Sequence, residues 1–307
     1  MSKYYLLAIM LIVARVALSD PAQLDSMKVP LLRGPYLGQK PPGPVPVKFA
    51  PGFVSTDSAH EFSCAFAPDG KTFYFARGTG AGNVKEIMVT RLTESGWTFP
   101  VSALPDFPGE SFEPRVTLDG KQVFFMGFEP KPGQGMPPID MYCADRSGDK
   151  IENVRALGQP FNPMNSMYVS FTNDGSIYTT DPRTEKANIA KSRLVDGSYQ
   201  PYENLGAPIN TENREIYPFV APDESYLIFN SGPAIPGQAP QDLVVSFRQP
   251  DGKWGTPHVI ALGMRAGSPT VSPDGKYLFF TSGEQRKGDI YWVDFEVVRK
   301  AAKSASK

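Results

Sequence analysis

The stretch Ala67-Pro68-Asp69-Gly70, followed by the run KTFYFA at 71–76, decides the fold, because close copies of it recur along the chain. Pro presets φ at an early turn position, Asp accepts hydrogen bonds within its own turn, and Gly adopts positive φ. With apolar runs on both sides, each copy predicts a tight β-hairpin. The further copies have the turns TLDG at 117–120, TNDG at 172–175, APDE at 221–224 and SPDG at 272–275.

The turn aspartates keep a nearly constant period. They stand at positions 69, 119, 174, 223 and 274, so the spacings are 50, 55, 49 and 51. Upstream of each turn we expect an innermost strand, and downstream an aromatic strand that is buried on both faces. Two further strands follow in most copies, and four short antiparallel strands at this period are typical of a propeller blade. The sequence therefore predicts an all-β, five-bladed β-propeller of four-stranded antiparallel blades.

The fifth copy offers only three strands before the chain ends in AAKSASK. The segment 46–53 resembles the fourth-strand stretch of the other copies and precedes the first innermost strand. We expect this N-terminal strand to complete the fifth blade, which closes the ring and protects its edges. Closed edges favour a monomer. The alternative is six blades, with residues 21–45 contributing extra structure.

The ends of the chain are predicted to lie outside the propeller. Lys3, the apolar run 4–13 and the small residues at 17–19 are typical of a signal peptide, with an uncleaved anchor as the alternative. We assign 1–19 to this signal, 20–45 to a Pro-rich extended arm, 46–298 to the propeller and 299–307 to a flexible tail. No later segment is long and apolar enough to span a bilayer. We therefore expect a periplasmic or secreted protein.

Charge and cysteine content narrow the functional classes. The formal net charge is −1, with no basic stripe of the kind that marks nucleic-acid binding, so nucleic acid is not expected as a partner. Cys64 and Cys143 fall on strands of neighbouring blades. An exported protein tolerates a disulfide between them, but two small buried apolar side chains are the favoured interpretation.

The sequence displays no recognisable catalytic centre. His60 and His258 are the two histidines, no zinc-type spacing occurs, and no G-x-S-x-G motif is present. Glu61, Glu113 and Glu215 are the carboxylates expected near a channel mouth, where they would serve glycoside chemistry or hold calcium. We assign no catalytic residue, metal ligand or cofactor, with Ca²⁺ as the one ion considered.

Binding at the channel mouth is the favoured activity. Innermost strands and variable loops bring aromatic, cationic and acidic groups towards the axis of a propeller, which suits a protein or glycan ligand. The candidate ligand-binding residues are His60, Glu61, Glu113, Arg115, Tyr168, Arg214, Glu215, Tyr217 and Arg265.

The Pro-Asp-Gly hairpin, together with the Asp289-Ile290-Tyr291 strand, resembles the repeat of TolB-type exported bacterial β-propellers, which are relatives of WD-repeat proteins. The resemblance covers about 46–298. It implies a periplasmic, non-enzymatic scaffold that binds envelope proteins or glycans; the alternative is a hydrolase or lyase acting on an extracellular or envelope polysaccharide. Such repeats carry Glu eight residues before the turn Asp, whereas this chain has Glu61, Ser111, Ser166, Glu215 and Ala266 there.

Overall fold

Five tight turns organise the chain in the computed structural model, which describes residues 32–80, 83–130, 133, 137–162, 167–181, 183, 186–233, 242–283 and 287–304. In the first turn, Gly70 N donates to Ala67 O at 2.9 Å, and Asp69 Oδ1 accepts from Lys71 N at 2.7 Å. The residue after each turn Asp has positive φ, including Glu224 at 57°. The predicted turn chemistry is therefore confirmed in all five copies, even where glycine is missing.

Each turn joins the two inner strands of an antiparallel sheet, and five such sheets form the propeller. The first blade consists of β2 (His60–Phe66), β3 (Thr72–Thr79), β4 (Val84–Thr93), β5 (Gly96–Trp97) and β6 (Val101–Ser102). The second consists of β7 (Glu110–Val116), β8 (Gln122–Phe128), β9 (Asp140–Ser147) and β10 (Lys150–Ala156).

The third blade also carries a small outer hairpin. It consists of β11 (Met167–Phe171), β12 (Ile177–Asp181), β13 (Asn188–Ser192), the hairpin strands β14 (Leu194–Val195) and β15 (Ser198–Tyr199), and β16 (Glu203–Asn204). The fourth consists of β17 (Arg214–Val220), β18 (Tyr226–Gly232), β19 (Asp242–Phe247) and β20 (His258–Val259). The fifth consists of β21 (Gly267–Val271), β22 (Tyr277–Ser282), β23 (Asp289–Asp294) and β1 (Val47–Lys48).

The N-terminal strand closes the ring as the sequence predicts. Val47 of β1 pairs with Trp292 of β23 in antiparallel register, and Phe49 N donates to Ile290 O at 2.8 Å. The fifth blade is thereby four-stranded and joins the first, so the five-bladed prediction is confirmed and the six-bladed alternative is not adopted.

Aromatic side chains fill the space between neighbouring blades. At the closure, Phe49, Phe73, Phe279 and Trp292 are all fully buried. The ring centroid of Phe49 lies 5.2 Å from that of Phe73 in the first blade and 5.0 Å from that of Phe279 in the fifth. Edge-to-face packing of this kind adds to the burial of apolar area. The aromatic second strands are therefore buried on both faces, as predicted.

Both ends of the described chain pack more closely than the sequence indicates. Leu37 in the Pro-rich arm is 1% exposed, and Tyr36 Oη donates to Asp274 Oδ1 at 2.6 Å. The helix α1 (Glu296–Ser304) spans the end of the predicted propeller and the first residues of the predicted tail at 299–307, and it buries Val298 and Ala301 in the core that the fourth and fifth blades share. The helix packs there because its residues at 297–301 form an apolar face, and a segment this short does not make such a face recognisable from sequence alone.

Cys64 and Cys143 are buried and unbridged, in agreement with the favoured interpretation. The predicted signal at 1–19 and the first part of the arm lie outside the described residues. Within the described chain, no helix is long and apolar enough to cross a membrane.

Replacement of Phe49 by Ala tests the closure. Phe49 is fully buried and packs against aromatic rings of both the first and the fifth blade. Phe49→Ala should therefore lower the free energy of unfolding by about 3–5 kcal/mol. Val47, in the same strand, is 38% exposed, and Val47→Ala should cost less than about 1 kcal/mol. Equal effects of the two variants in urea denaturation would show that ring closure does not carry the stability.

Candidate functional site

A β-bulge interrupts every innermost strand six residues before the turn Asp. The register with the second strand shifts there in all five blades, for example between Phe112 and Arg115 in β7. The residue at the bulge has positive φ, between 41° and 61°, which is uncommon without glycine. A bulge redirects a side chain out of the regular alternation. The bulge residues are Ser63, Glu113, Tyr168, Tyr217 and Ser268.

Tyr168 reaches across the central channel. It starts in the innermost strand of the third blade, and its hydroxyl donates to Pro269 O in the innermost strand of the fifth. Its ring centroid lies 5.4 Å from that of Tyr217 in the fourth blade. The side chain is fully buried. Tyr168 therefore connects three blades across the channel. We call this level of the channel, where the bulge residues lie, the waist.

Arg115 lies on the ring of Tyr168. The guanidinium carbon is 3.8 Å from the ring centroid, and Nη1 donates to Cys64 O at 2.6 Å and to Pro114 O at 2.9 Å. The residue is only 4% exposed, and burial lowers the pKa of Arg115 to about 10, so the group stays protonated at neutral pH. Nε and Nη2 have no hydrogen-bond partner among the described residues.

Glu113 is the acidic group at the bulge of the same strand. It is 7% exposed, and its Oε2 has no hydrogen-bond partner within the described chain. Burial raises the pKa of Glu113 from the ordinary value to about 7, although the charge of Arg115 acts in the opposite direction. Burial, and then the charge of Glu113, also raise the pKa of Tyr217. The waist of the channel thus holds two ionisable groups with incomplete hydrogen bonding.

A funnel opens from this waist to the face of the propeller that carries the hairpin turns. Its cavity of about 350 Å³ is lined by all five innermost strands. The layer of the wall at the floor consists of the residues four positions before each turn Asp: Ala65, Arg115, Ser170, Phe219 and Thr270. The next layer consists of the residues three positions before it: Phe66, Val116, Phe171, Val220 and Val271. The rim is the residue directly before each turn Asp: Pro68, Leu118, Asn173, Pro222 and Pro273. Among the described residues that line the funnel, Arg115 has the single charged side chain.

Two of the predicted carboxylates hold loops instead of facing a ligand. Glu61 is fully buried; it accepts hydrogen bonds from Thr56 Oγ1 at 2.8 Å and from Arg77 Nε at 2.9 Å. Glu215 is equally buried and accepts from Thr211 Oγ1 at 2.7 Å. Each of these two glutamates therefore fastens the loop that enters its own innermost strand, β2 or β17.

The remaining predicted residues spread over the opposite, loop-bearing face. His60 Nδ1 accepts from Gly288 N at 2.8 Å, and burial lowers the pKa of His60. The ring borders a polar cleft of about 470 Å³ between the first and fifth blades, together with Asp57 and Asp289. Arg214 is half-buried at the start of β17, and Arg265 is exposed just before β21. Of the nine predicted residues, Glu113, Arg115, Tyr168 and Tyr217 come together at the waist.

No group of three or more His, Cys, Asp or Glu side chains is placed to hold a metal ion in the described part of the chain. Of the described residues in the funnel wall, the sequence predicts Arg115 alone, because the position eight residues before the turn Asp points to the other end of the channel. Offsets of four, three and one before the same Asp identify most of the wall in every copy; Tyr226, Ser272 and Gly275 complete it. An innermost strand of seven residues, such as β7, carries these two sets of positions to opposite ends of the channel.

No protein-family model matches the chain, and no curated protein matches its sequence. Solved structures with a similar fold include TolB from Acinetobacter baumannii, at 16% identity and a TM-score of 0.49, with 78% of this chain and 53% of that one covered. A TolB from Agrobacterium tumefaciens gives 17% identity and a TM-score of 0.48, with 78% of each chain covered. A gluconolactonase from Xanthomonas campestris gives 15% and 0.45, covering 82% and 98%.

The chain thus spans about half the length of the Acinetobacter TolB that it matches. Identities this low concern the fold alone, and the similar structures include both TolB proteins and a gluconolactonase. The function of this chain therefore has to be argued from its own site.

Glu113→Gln tests the electrostatics of the waist. Folded Glu113 holds its proton up to about pH 7, against an ordinary pKa of 4.5, so its contribution to stability is complete below about pH 4.5 and is lost as the pH rises through 7. The variant removes this loss and should be up to about 3 kcal/mol more stable than wild type at pH 8. At pH 4 the two proteins should unfold at similar urea concentrations.

The matched control is Glu212→Gln, at an exposed glutamate before β17, which should leave the pH dependence of stability unchanged. Parallel stability–pH curves for wild type and Glu113→Gln would refute a buried, protonated Glu113.

Proposed function

We propose that this chain is an exported, non-enzymatic propeller that binds a partner protein through the funnel on its turn face. The observation that carries the proposal is a concave, five-walled cavity with a partly unsatisfied cation at its floor. Ligand sites in proteins are typically concave and mostly apolar, with a few polar groups that fix orientation. The funnel has this composition, and the rest of the ring serves as its rigid support.

The lining favours a protein segment over a glycan. Aromatic and aliphatic side chains form most of the wall, among them Phe171, Phe219 and Val220, and prolines form three of the five rim positions. Leu118 at the rim is 40% exposed. Apolar side chains of a peptide bury well against such a wall, whereas a glycan requires a dense set of hydrogen-bonding partners.

The same geometry speaks against hydrolysis at this site. A glycosidase needs two carboxyl groups about 5–10 Å apart, and no carboxylate is among the residues of the described chain that line the funnel. Glu61 and Glu215 are occupied by their loop threonines. Neither His60 nor His258 is among the described residues that line the funnel, so neither is placed there as a general base. These observations support a binding role.

The proposal is tested by retention of an envelope protein on immobilised mature protein, residues 20–307. Leu118→Glu places a charge on the exposed apolar rim and should reduce retention by about tenfold, since a contact of this kind contributes about 1–2 kcal/mol. Val259→Glu is the matched control: Val259 is 59% exposed in the outer strand β20 of the fourth blade, and this change should leave retention intact.

Equal retention by both variants and wild type would refute the funnel as the binding surface. Retention of polysaccharide in place of protein, weakened by Leu118→Glu, would favour the glycan ligand. Glu215→Ala would not distinguish a binding protein from a polysaccharide hydrolase. Loss of the contact to Thr211 destabilises the loop before β17 in both cases.

A further inference from the structure

We propose that Arg115 makes the funnel a receptor for a carboxylate group carried on an apolar body, such as the C-terminal residue of a polypeptide. This inference rests on the proposed function, because it names the group that the funnel recognises. Its basis is the arrangement of the five guanidinium N–H groups, which the protein uses unequally.

The terminal nitrogen Nη1 anchors the side chain. Its two N–H groups point to backbone carbonyls of two blades, Cys64 O in the first and Pro114 O in the second. The ring of Tyr168 supports the face of the guanidinium, and the Tyr168 hydroxyl is itself fixed on Pro269 O. The plane of the guanidinium is therefore set, before any ligand arrives, by contacts to the innermost strands of the first, second and third blades, and the contact of Tyr168 to Pro269 O adds the fifth blade indirectly.

The opposite edge, formed by Nε–H and Nη2–H, has no partner in the described chain. These two groups are the fork that receives both oxygens of a carboxylate in bidentate pairing. A buried donor without an acceptor is costly, more so on a charged group, so a structure that fixes one edge of Arg115 and leaves the other unsatisfied gains from an incoming acceptor. Both atoms are covered in this structure, so the floor of the funnel has to open slightly for the ligand.

Charge and size define the ligand further. Arg115 is the single charged residue in the part of the wall that the structure describes, so it balances one negative charge on a ligand and leaves a second without a partner. Glu113, two residues away in the same strand, opposes any further anion when it is ionised. A cavity of about 350 Å³ is at the small end of ligand sites. It suits one or two residues of a peptide or a small organic acid, and a doubly charged phosphate is disfavoured.

The apolar walls specify what the carboxylate is attached to. Phe66, Phe171 and Phe219 lie one layer above or beside Arg115, where they would enclose an aliphatic or aromatic side chain. Ser170 and Thr270 are the hydroxyl-bearing residues in the layer of Arg115, and they supply hydrogen bonds for a peptide amide. The shared chemistry of a C-terminus and a free acid is a carboxylate next to an apolar group.

The experiment compares ligands that differ only in the carboxylate. A pool of acetylated tripeptides ending in Leu, Phe or Val is titrated into wild-type protein by NMR saturation transfer, first with free C-termini and then as the C-terminal amides. The acids should bind at least about tenfold more tightly, which corresponds to the 1.5–3 kcal/mol of charge-assisted hydrogen bonds. 4-Phenylbutyrate serves as the probe for a free organic acid.

Two variants assign the effect to the fork. Arg115→Lys keeps a positive charge without a bidentate edge, and Arg115→Met removes the charge; both should abolish the preference for acid over amide. Arg193→Met is the control, since Arg193 is exposed and paired with Glu203 at the outer edge of the third blade. Thermal unfolding establishes that each variant is folded, and the acid–amide comparison in wild type stands without any variant.

The outcomes separate this inference from the proposed function. An acid preference that both Arg115 variants lose supports the inference. Binding of 4-phenylbutyrate but not of the tripeptides, with the same dependence on Arg115, also supports it and assigns the site to free acids. Two results would overturn recognition of a carboxylate by Arg115 and leave the funnel as the binding surface. One is equal binding of acids and amides; the other is no binding of any carboxylate while Leu118→Glu still weakens partner retention.

Discussion

Pairing of the N-terminal strand β1 with β23 of the last blade is the constraint on which the whole structure depends. A propeller sheet buries its aromatic second strand only when a neighbour covers both faces, and the first and last blades obtain that neighbour from each other. Phe49 packs against rings of both. Without this closure the contact from Tyr168 to Pro269 across the channel would lose its fixed distance, and the waist would lose its geometry.

The ring is nearly symmetric in its backbone and asymmetric in its chemistry. The hairpin turn and the bulge recur in every blade, because they are what allows the innermost strand to turn and to fit around a narrow axis. At a given offset, however, the side chains differ: where the second blade has Arg115, the first has Ala65 and the fourth has Phe219. A five-fold scaffold thus obtains a single, directed polar group at the floor of an otherwise uncharged funnel.

The repeat explains what the sequence could predict. Turn chemistry and aromatic strands are local and periodic, so the five blades, their strand order and the closing strand follow from them. The sequence places Glu61 and Glu215 near the mouth of the channel, yet their carboxylates accept hydrogen bonds from threonines five and four residues upstream in the entering loop. Which side of a bulged strand a residue faces depends on the bulge, and positive φ at Glu113 or Tyr168 is invisible in the residue type.

At the waist, the stability of the fold and the recognition of a ligand favour different residues. Arg115 and Glu113 are both nearly excluded from water and incompletely hydrogen-bonded, and neutral residues of similar volume would make the fold more stable. Closure of the ring does not by itself require an arginine at this position, since the other four blades close around the axis with Ala65, Ser170, Phe219 and Thr270 at the same place. A cation that is costly to bury, and that is nevertheless held by Cys64 O and Tyr168, is preorganised in the way that ligand recognition requires.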